Sequence, residues 1–122
     1  MTAPESNPRG RDNTVPLTVD ETLEAISNHR RRFTIRFVDE AGTAVEADDL
    51  AEHLAAVEND GPLDAQDRKR VYVALTQHHL DKLGDLGPVA YHERSKTLMP
   101  SYATHGLADL IRYLESVCEC GV

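Results

Sequence analysis

Gly87-Pro88 is the sharpest boundary in this sequence of 122 residues, and it separates two kinds of apolar periodicity. Before it, from Asp64 to Leu86, apolar residues recur at spacings near three and four: Val71, Leu75, Leu80, Leu83 and Leu86, with Tyr72 and Thr76 on the same stripe. After it the pattern is that of a hairpin. Val89-Ala90-Tyr91 reads as a strand, His92 to Ser95 as a four-residue turn, and Lys96 to Met99 as the return strand. Glycine takes the helix-ending conformation without strain and proline cannot continue a helix, so the change of period is a physical stop. Gly84 is expected to bend or weaken the long helix. Pro100 has no backbone N–H to donate and is expected to hold the return strand at a sheet edge.

Upstream, Thr18-Val-Asp-Glu21 is a capping box that opens a first helix ending near Asn28, with Val19, Leu23 and Ile26 on one face. A second helix is expected from about His29 to Asp39, with Phe33, Ile35, Phe37 and Val38 apolar and arginines between them. Ala41-Gly42-Thr43 breaks it, and Thr43-Ala-Val45 reads as a short strand. Asp48 or Asp49 would cap a third helix with Leu50, Leu54, Ala55 and Val57 inward, and Asn59-Asp-Gly-Pro-Leu63 stops it. Asp64 caps the long fourth helix. After the hairpin, Thr104 would cap a last helix whose Leu107, Leu110, Ile111, Leu114 and Val117 form a seam close to heptad spacing.

The order is helix, helix, short strand, helix, long helix, hairpin, helix. A three-helix core followed by a two-stranded hairpin is the topology of a winged helix–turn–helix, so the expected fold is mainly α with a small β-hairpin and an added C-terminal helix. Residues 1–16, with their prolines and polar side chains, read as a disordered arm. The winged helix domain is assigned to 17–103, a dimerisation helix to 104–118 and a tail to 119–122.

Charge enters here, because an acidic total opposes a nucleic-acid partner. The chain carries 21 acidic against 13 basic residues, and the basic set is 10 Arg to 3 Lys. Acid excess with little lysine points to a high-salt origin, where bulk salt screens the self-repulsion. The charge is uneven. Asp39 to Asp67 holds ten acidic residues and no Lys or Arg. Basic charge is concentrated in Arg30, Arg31, Arg32 and Arg36 in one segment, and in Arg68, Lys69, Arg70 and Lys82 in another.

A more specific signal lies around the boundary. His79-Leu80-Asp-Lys-Leu83-Gly-Asp-Leu86-Gly87-Pro-Val89-Ala-Tyr91 resembles the H-L-x-x-L-x-x-x-G-x-V-x-Y segment of arsenical-repressor-like (ArsR) winged helix proteins. Ile26-Ser-Asn28-His-Arg30-Arg31-Arg32 is similar to their opening L-x-x-x-x-R-R. With Leu50-Ala-Glu-His-Leu54 and Arg68-Lys-Arg70-Val-Tyr-Val-Ala-Leu75, the chain looks like a haloarchaeal family of winged helix domains of unknown specific function, over residues 18–103. The resemblance implies a DNA-binding transcriptional regulator.

The residues permit a site to be named independently. With the apolar ladder inward, Arg70, Val73, Ala74, Gln77, His78 and Asp81 face outward. Gln77 suits adenine, Arg70 guanine or phosphate, and His78 either. Arg68 and Lys69 would contact phosphate near the helix start, and the hairpin offers Arg94 and Lys96. The other reading is a winged helix module that binds proteins and not DNA, motivated by the net charge of −8 and the acidic third helix. Arg68 and Arg70 could equally pair with Asp64 or Asp67, and Arg30 to Arg32 could neutralise the acidic stretch. Asp81 would repel phosphate. His79 is read as a partly buried structural residue.

The seam of the last helix is expected to pack on its symmetry mate in a homodimer bound to double-stranded DNA. The metal-sensing members of the resembled family hold Cys and His ligands on the recognition or dimer helices. No cysteine stands on the fourth helix here, and Cys118 and Cys120 form an isolated C-x-C, so no metal and no other cofactor is expected. No phosphate-cradling glycine loop or H-E-x-x-H is present, which points away from an enzyme. Neither a membrane-spanning apolar run nor a secretory h-region is read, so the expected location is cytoplasmic.

Overall fold

The computed structural model describes residues 15–59 and 64–118; residues 1–14 of the expected arm and the tail 119–122, with Cys120, lie outside the described residues. The elements run α1 Val19–Ile26, α2 His29–Ala41, β1 Val45–Glu46, α3 Ala47–Glu58, α4 Ala65–Ala74, a π turn Leu75–His79, α5 Leu80–Leu86, β2 Val89–His92, β3 Thr97–Pro100 and α6 Thr104–Val117. The protein is thus mainly helical with a small three-stranded antiparallel sheet of order β1-β3-β2.

Local chemistry fixes most helix ends. Thr18 Oγ1 accepts from the Glu21 amide at 3.0 Å and Glu21 Oε1 accepts from the Thr18 amide at 2.9 Å, the capping box read from the sequence. Asn28 caps α2 through the Arg30 amide at 2.8 Å, and Asp64 caps α4 through the Asp67 amide at 2.8 Å. Gly42 ends α2 in the left-handed conformation, φ 66°, with its amide bonded to the Val38 carbonyl. Two expected caps are corrected. The residue before α3 is Glu46, without a side-chain cap, because β1 runs straight into the helix and leaves Asp48 and Asp49 in its first turn. Thr104 is the first residue of α6, and its hydroxyl is engaged elsewhere, by the Pro88 carbonyl.

The hairpin lies one residue later than read, with β2 ending at His92, the turn at Glu93–Lys96 and β3 starting at Thr97. Lys96 adopts φ 55°, and its carbonyl accepts from the Ala47 amide at 2.9 Å, so the turn is stitched to the start of α3. β3 is the central strand, not an edge. Val45 and Glu46 pair with Leu98 and Thr97 on one side, and Val89 to His92 pair with Pro100 to Thr97 on the other. Pro100 is tolerated because β1 stops at Leu98, leaving the proline unpaired on that flank.

One core joins every layer. Ile35 and Val38 of α2, Leu50 and Leu54 of α3, Leu75, Leu80 and Leu83, Val89 and Leu98 of the sheet, and Leu107 and Ile111 of α6 are essentially solvent-free. Each such side chain contributes roughly 1.5–3 kcal/mol on burial. Three helix faces differ from expectation. α1 presses Thr22, Ala25 and Ile26 inward and leaves Val19 and Leu23 exposed, at 74% and 56%. α3 buries Ala47 and Ala51 beside its leucines and leaves Val57 exposed. α6 directs Leu107 and Ile111 into the chain's own core, so those two residues cannot form the expected dimer seam. The boundary at 103/104 is therefore no packing boundary, and Val15 also packs on the core ahead of residue 17.

Candidate nucleic-acid interface

The expected helix 64–86 is interrupted by the π turn, and α5 runs on through Gly84. The Leu80 amide reaches the Leu75 carbonyl, five residues back, which inserts one residue into the turn. The buried ladder accordingly steps from Val71 to Leu75 by four, to Leu80 by five and to Leu83 by three. Thr76 Oγ1 donates to the Tyr72 carbonyl at 2.9 Å, a bond that favours such local distortion. Gly84 serves a different purpose: a Cβ there would stand 3.2 Å from Tyr91 Cβ, so its bareness lets α5 lie on β2.

On the outward side, Gln66, Lys69, Arg70, Val73, Ala74 and His78 line one shallow groove along α4 and the π turn. Their spacing is that of a single helical stripe, and Gln77 is exposed beside it. The structure thus brings together Lys69, Arg70, Gln77 and His78 from the expected set. Arg68 is also exposed on α4. Arg70 makes only a long contact of 3.4 Å with Asp67, and its side chain stays 69% exposed. Among the described residues, Arg68, Lys69, Arg94 and Lys96 make no ion pair. Arg94 is exposed on the hairpin turn, whereas Lys96 is half-buried. Gln66 was missed by the sequence reading, although its place one turn before Lys69 and Arg70 puts it on the same stripe.

The arginines of α2 have other duties. Arg30 forms two hydrogen bonds to Glu58, each 2.8 Å, which raises the guanidinium pKa and lowers that of the carboxyl. That pairing neutralises one member of the acidic stretch. Arg31 and Arg32 instead turn to α1: Arg32 donates to the Ile26 carbonyl at 2.6 Å, and Arg31 to the Ala25 and Glu24 carbonyls at 3.1 and 2.8 Å. Arg31 also meets His79 Nδ1 at 3.2 Å. Burial, and then the charges of Arg31 and Arg30, hold the His79 imidazole down to about 4, so it is neutral at pH 7. This inward contact spans 48 residues and has no signal in the sequence.

Negative charge remains nearby. Asp48, Asp49 and Glu52 are exposed on α3, which packs against α4, and Asp81 is exposed one turn past Gln77. Among the described residues, no group of three or more His, Cys, Asp or Glu side chains is placed to hold a metal ion, and Cys118 is a free exposed thiol. No described helix is long and apolar enough to cross a membrane.

The fold and this surface define a small, mainly helical protein with a three-stranded antiparallel sheet and an exposed, largely unpaired basic helix face. The chain belongs to the family described as Domain of unknown function (DUF7344), whose pattern matches residues 23–99, from α1 into β3. No curated protein and no solved structure matches the chain.

Proposed function

We propose that this protein is a winged helix–turn–helix DNA-binding regulator, with α2, α3 and α4–α5 as the three-helix core and β2–β3 as the wing. The order α2-β1-α3-α4-α5-β2-β3 and the pairing of β1 with β3 support that topology. The resemblance of residues 79–91 to arsenical-repressor-like proteins, and of residues 18–103 to a haloarchaeal family of winged helix domains, supports it further. The observation that carries the functional reading is the exposed stripe on α4: among the described residues Arg68 and Lys69 make no ion pair and Arg70 only a long one to Asp67, while Arg30, Arg31 and Arg32 of α2 are tied up.

In this reading α4 enters the major groove. Lys69 and Arg68 meet phosphates, Arg70 takes guanine or phosphate, and Gln77 and His78 reach base edges. Arg94 contacts the flanking backbone from the wing, and Lys96 chiefly shapes the turn. A homodimer would use what α6 leaves uncovered, namely the half-buried Leu110 and Leu114 with the exposed Val117 and Tyr113. The exposed carboxylates of α3 and Asp81 favour a second reading, a winged helix module that binds proteins instead of DNA.

Fluorescence anisotropy with genomic duplex fragments separates the two. DNA binding that falls on Arg70→Ala and on Gln77→Ala supports the first reading. Absence of binding at every salt concentration, or binding indifferent to both changes, supports the second.

A further inference from the structure

Among the described residues, no carboxylate is in direct contact with the buried charge of the Arg31 guanidinium. The residue is only 8% exposed, and its nitrogens bond to the Ala25 carbonyl, the Glu24 carbonyl, Ser27 Oγ at 2.9 Å and His79 Nδ1. Burial lowers its pKa, opposed by the more distant charge of Glu24. A cation desolvated in this way is costly unless its donors are all directed. The carbonyls at the end of α1 supply part of the compensation, because the C-terminus of a helix carries partial negative charge. The remaining nitrogen, Nη1, points at the π turn.

His79 is the last residue of that turn, and Gln77 and His78 immediately before it face solvent. A five-residue turn widens the helix and is less favourable than α geometry unless its surroundings hold it. Leu75 and Leu80 anchor its two ends in the core. Between them, the inward polar tie is the contact from Arg31 to His79.

We infer that Arg31 is a positioning residue: through His79 it holds the π turn, and so sets the direction in which Gln77 and His78 leave the helix. Its influence on DNA rests on the reading above, but its hold on the turn does not. The fork of Arg31 spans α1 and the turn at once, which a lysine cannot do. An acceptor at the place of Nδ1 is what the turn requires, and asparagine offers one at similar reach.

The test uses the full chain and four proteins: wild type, Arg31→Lys, His79→Leu and His79→Asn. Amide hydrogen exchange is read by NMR at Thr76 to Leu80, with Leu107 and Ile111 of α6 as an internal reference. Arg31→Lys and His79→Leu are expected to speed exchange in the turn by about tenfold relative to α6, and His79→Asn to restore it. Affinity for duplex DNA is expected to fall by about tenfold in the first two variants with the salt slope unchanged, since a buried guanidinium releases no counterion from DNA. Exchange in the turn that matches wild type in both Arg31→Lys and His79→Leu overturns the inference. A salt slope reduced by about 0.9 in a fifth protein, Arg31→Gln, which removes the charge, also overturns it, because Arg31 would then be a phosphate contact. Altered exchange without DNA binding by the wild type leaves the hold on the turn standing and removes only the DNA reading.

Discussion

The Thr104 hydroxyl donates a 2.6 Å hydrogen bond to the Pro88 carbonyl, which joins the first turn of α6 to the corner where α5 becomes β2. Ser101 Oγ does the same for the Gly87 carbonyl at 2.6 Å, and the Ser101 amide donates to Thr104 Oγ1 at 2.7 Å. Both carbonyls of the helix-stopping dipeptide are therefore satisfied by the segment that follows the hairpin. Thr104→Val keeps the shape and removes the donor from a site that is 1% exposed. The expected cost is about 1–3 kcal/mol, read as a lower urea midpoint with an unchanged m value.

Glu58→Gln tests the tie between α2 and α3. The half-buried Arg30 would keep its charge and lose the carboxylate, at an expected cost of about 1 kcal/mol after allowance for solvent screening. Arg30 holds the Glu58 pKa below its ordinary value of 4.5. A depressed carboxyl stabilises the fold above the unfolded-state pKa, and that stability is lost as pH falls through the folded value. The difference between wild type and variant should thus be full at neutral pH and shrink below 4.5, as chemical denaturation across that range would show.

His79 gives a separate window. Burial first, and then Arg31, lower its pKa from 6.5 to about 4. Above 6.5 both folded and unfolded chains carry it neutral; between 6.5 and about 4 only the unfolded chain takes up the proton. Stability should decline as pH falls across that window, and His79→Asn should remove this part of the decline. The ring resonances of His79 should titrate near 4, whereas a midpoint near 6.5 would mean that the imidazole is not enclosed.

Val117 is 58% exposed and Tyr113 63% exposed on the side of α6 turned away from α2. If this surface pairs two copies, Tyr113→Asp with Val117→Asp should shift the sedimentation coefficient to that of the monomer and leave the thermal transition nearly unchanged. Truncation before Thr104 would not report on pairing, because it removes Leu107 and Ile111 from the core and should abolish cooperative unfolding.

Element order was legible because capping residues and glycines act locally: Thr18 with Glu21, Asn28, Asp64, Gly42 and Gly87 each stop or start a helix through their own neighbours. Face assignment was less legible. Leu23 and Val57 are hydrophobic, yet the space beside α1 and α3 is filled by Ala25, Ala47 and Ala51, whose small size no hydrophobic count rewards. The heptad-like seam of α6 had two possible partners, and Leu107 and Ile111 turn into the core of the same chain, where α6 packs on α2. Of the candidate interface, the stripe through Lys69, Arg70, Gln77 and His78 followed from helical spacing. The π turn and the Arg31–His79 contact did not, because both depend on residues far apart in sequence meeting in the core.

The most direct measurement is the salt dependence of binding to duplex DNA, taken over a range of potassium chloride for wild type and for Lys69→Ala with Arg70→Ala. Log affinity should fall linearly with log salt, and the double variant should lose up to about 1.8 from that slope if both residues meet phosphates. Binding that is absent throughout, or whose slope is the same in both proteins, would contradict a DNA-reading α4.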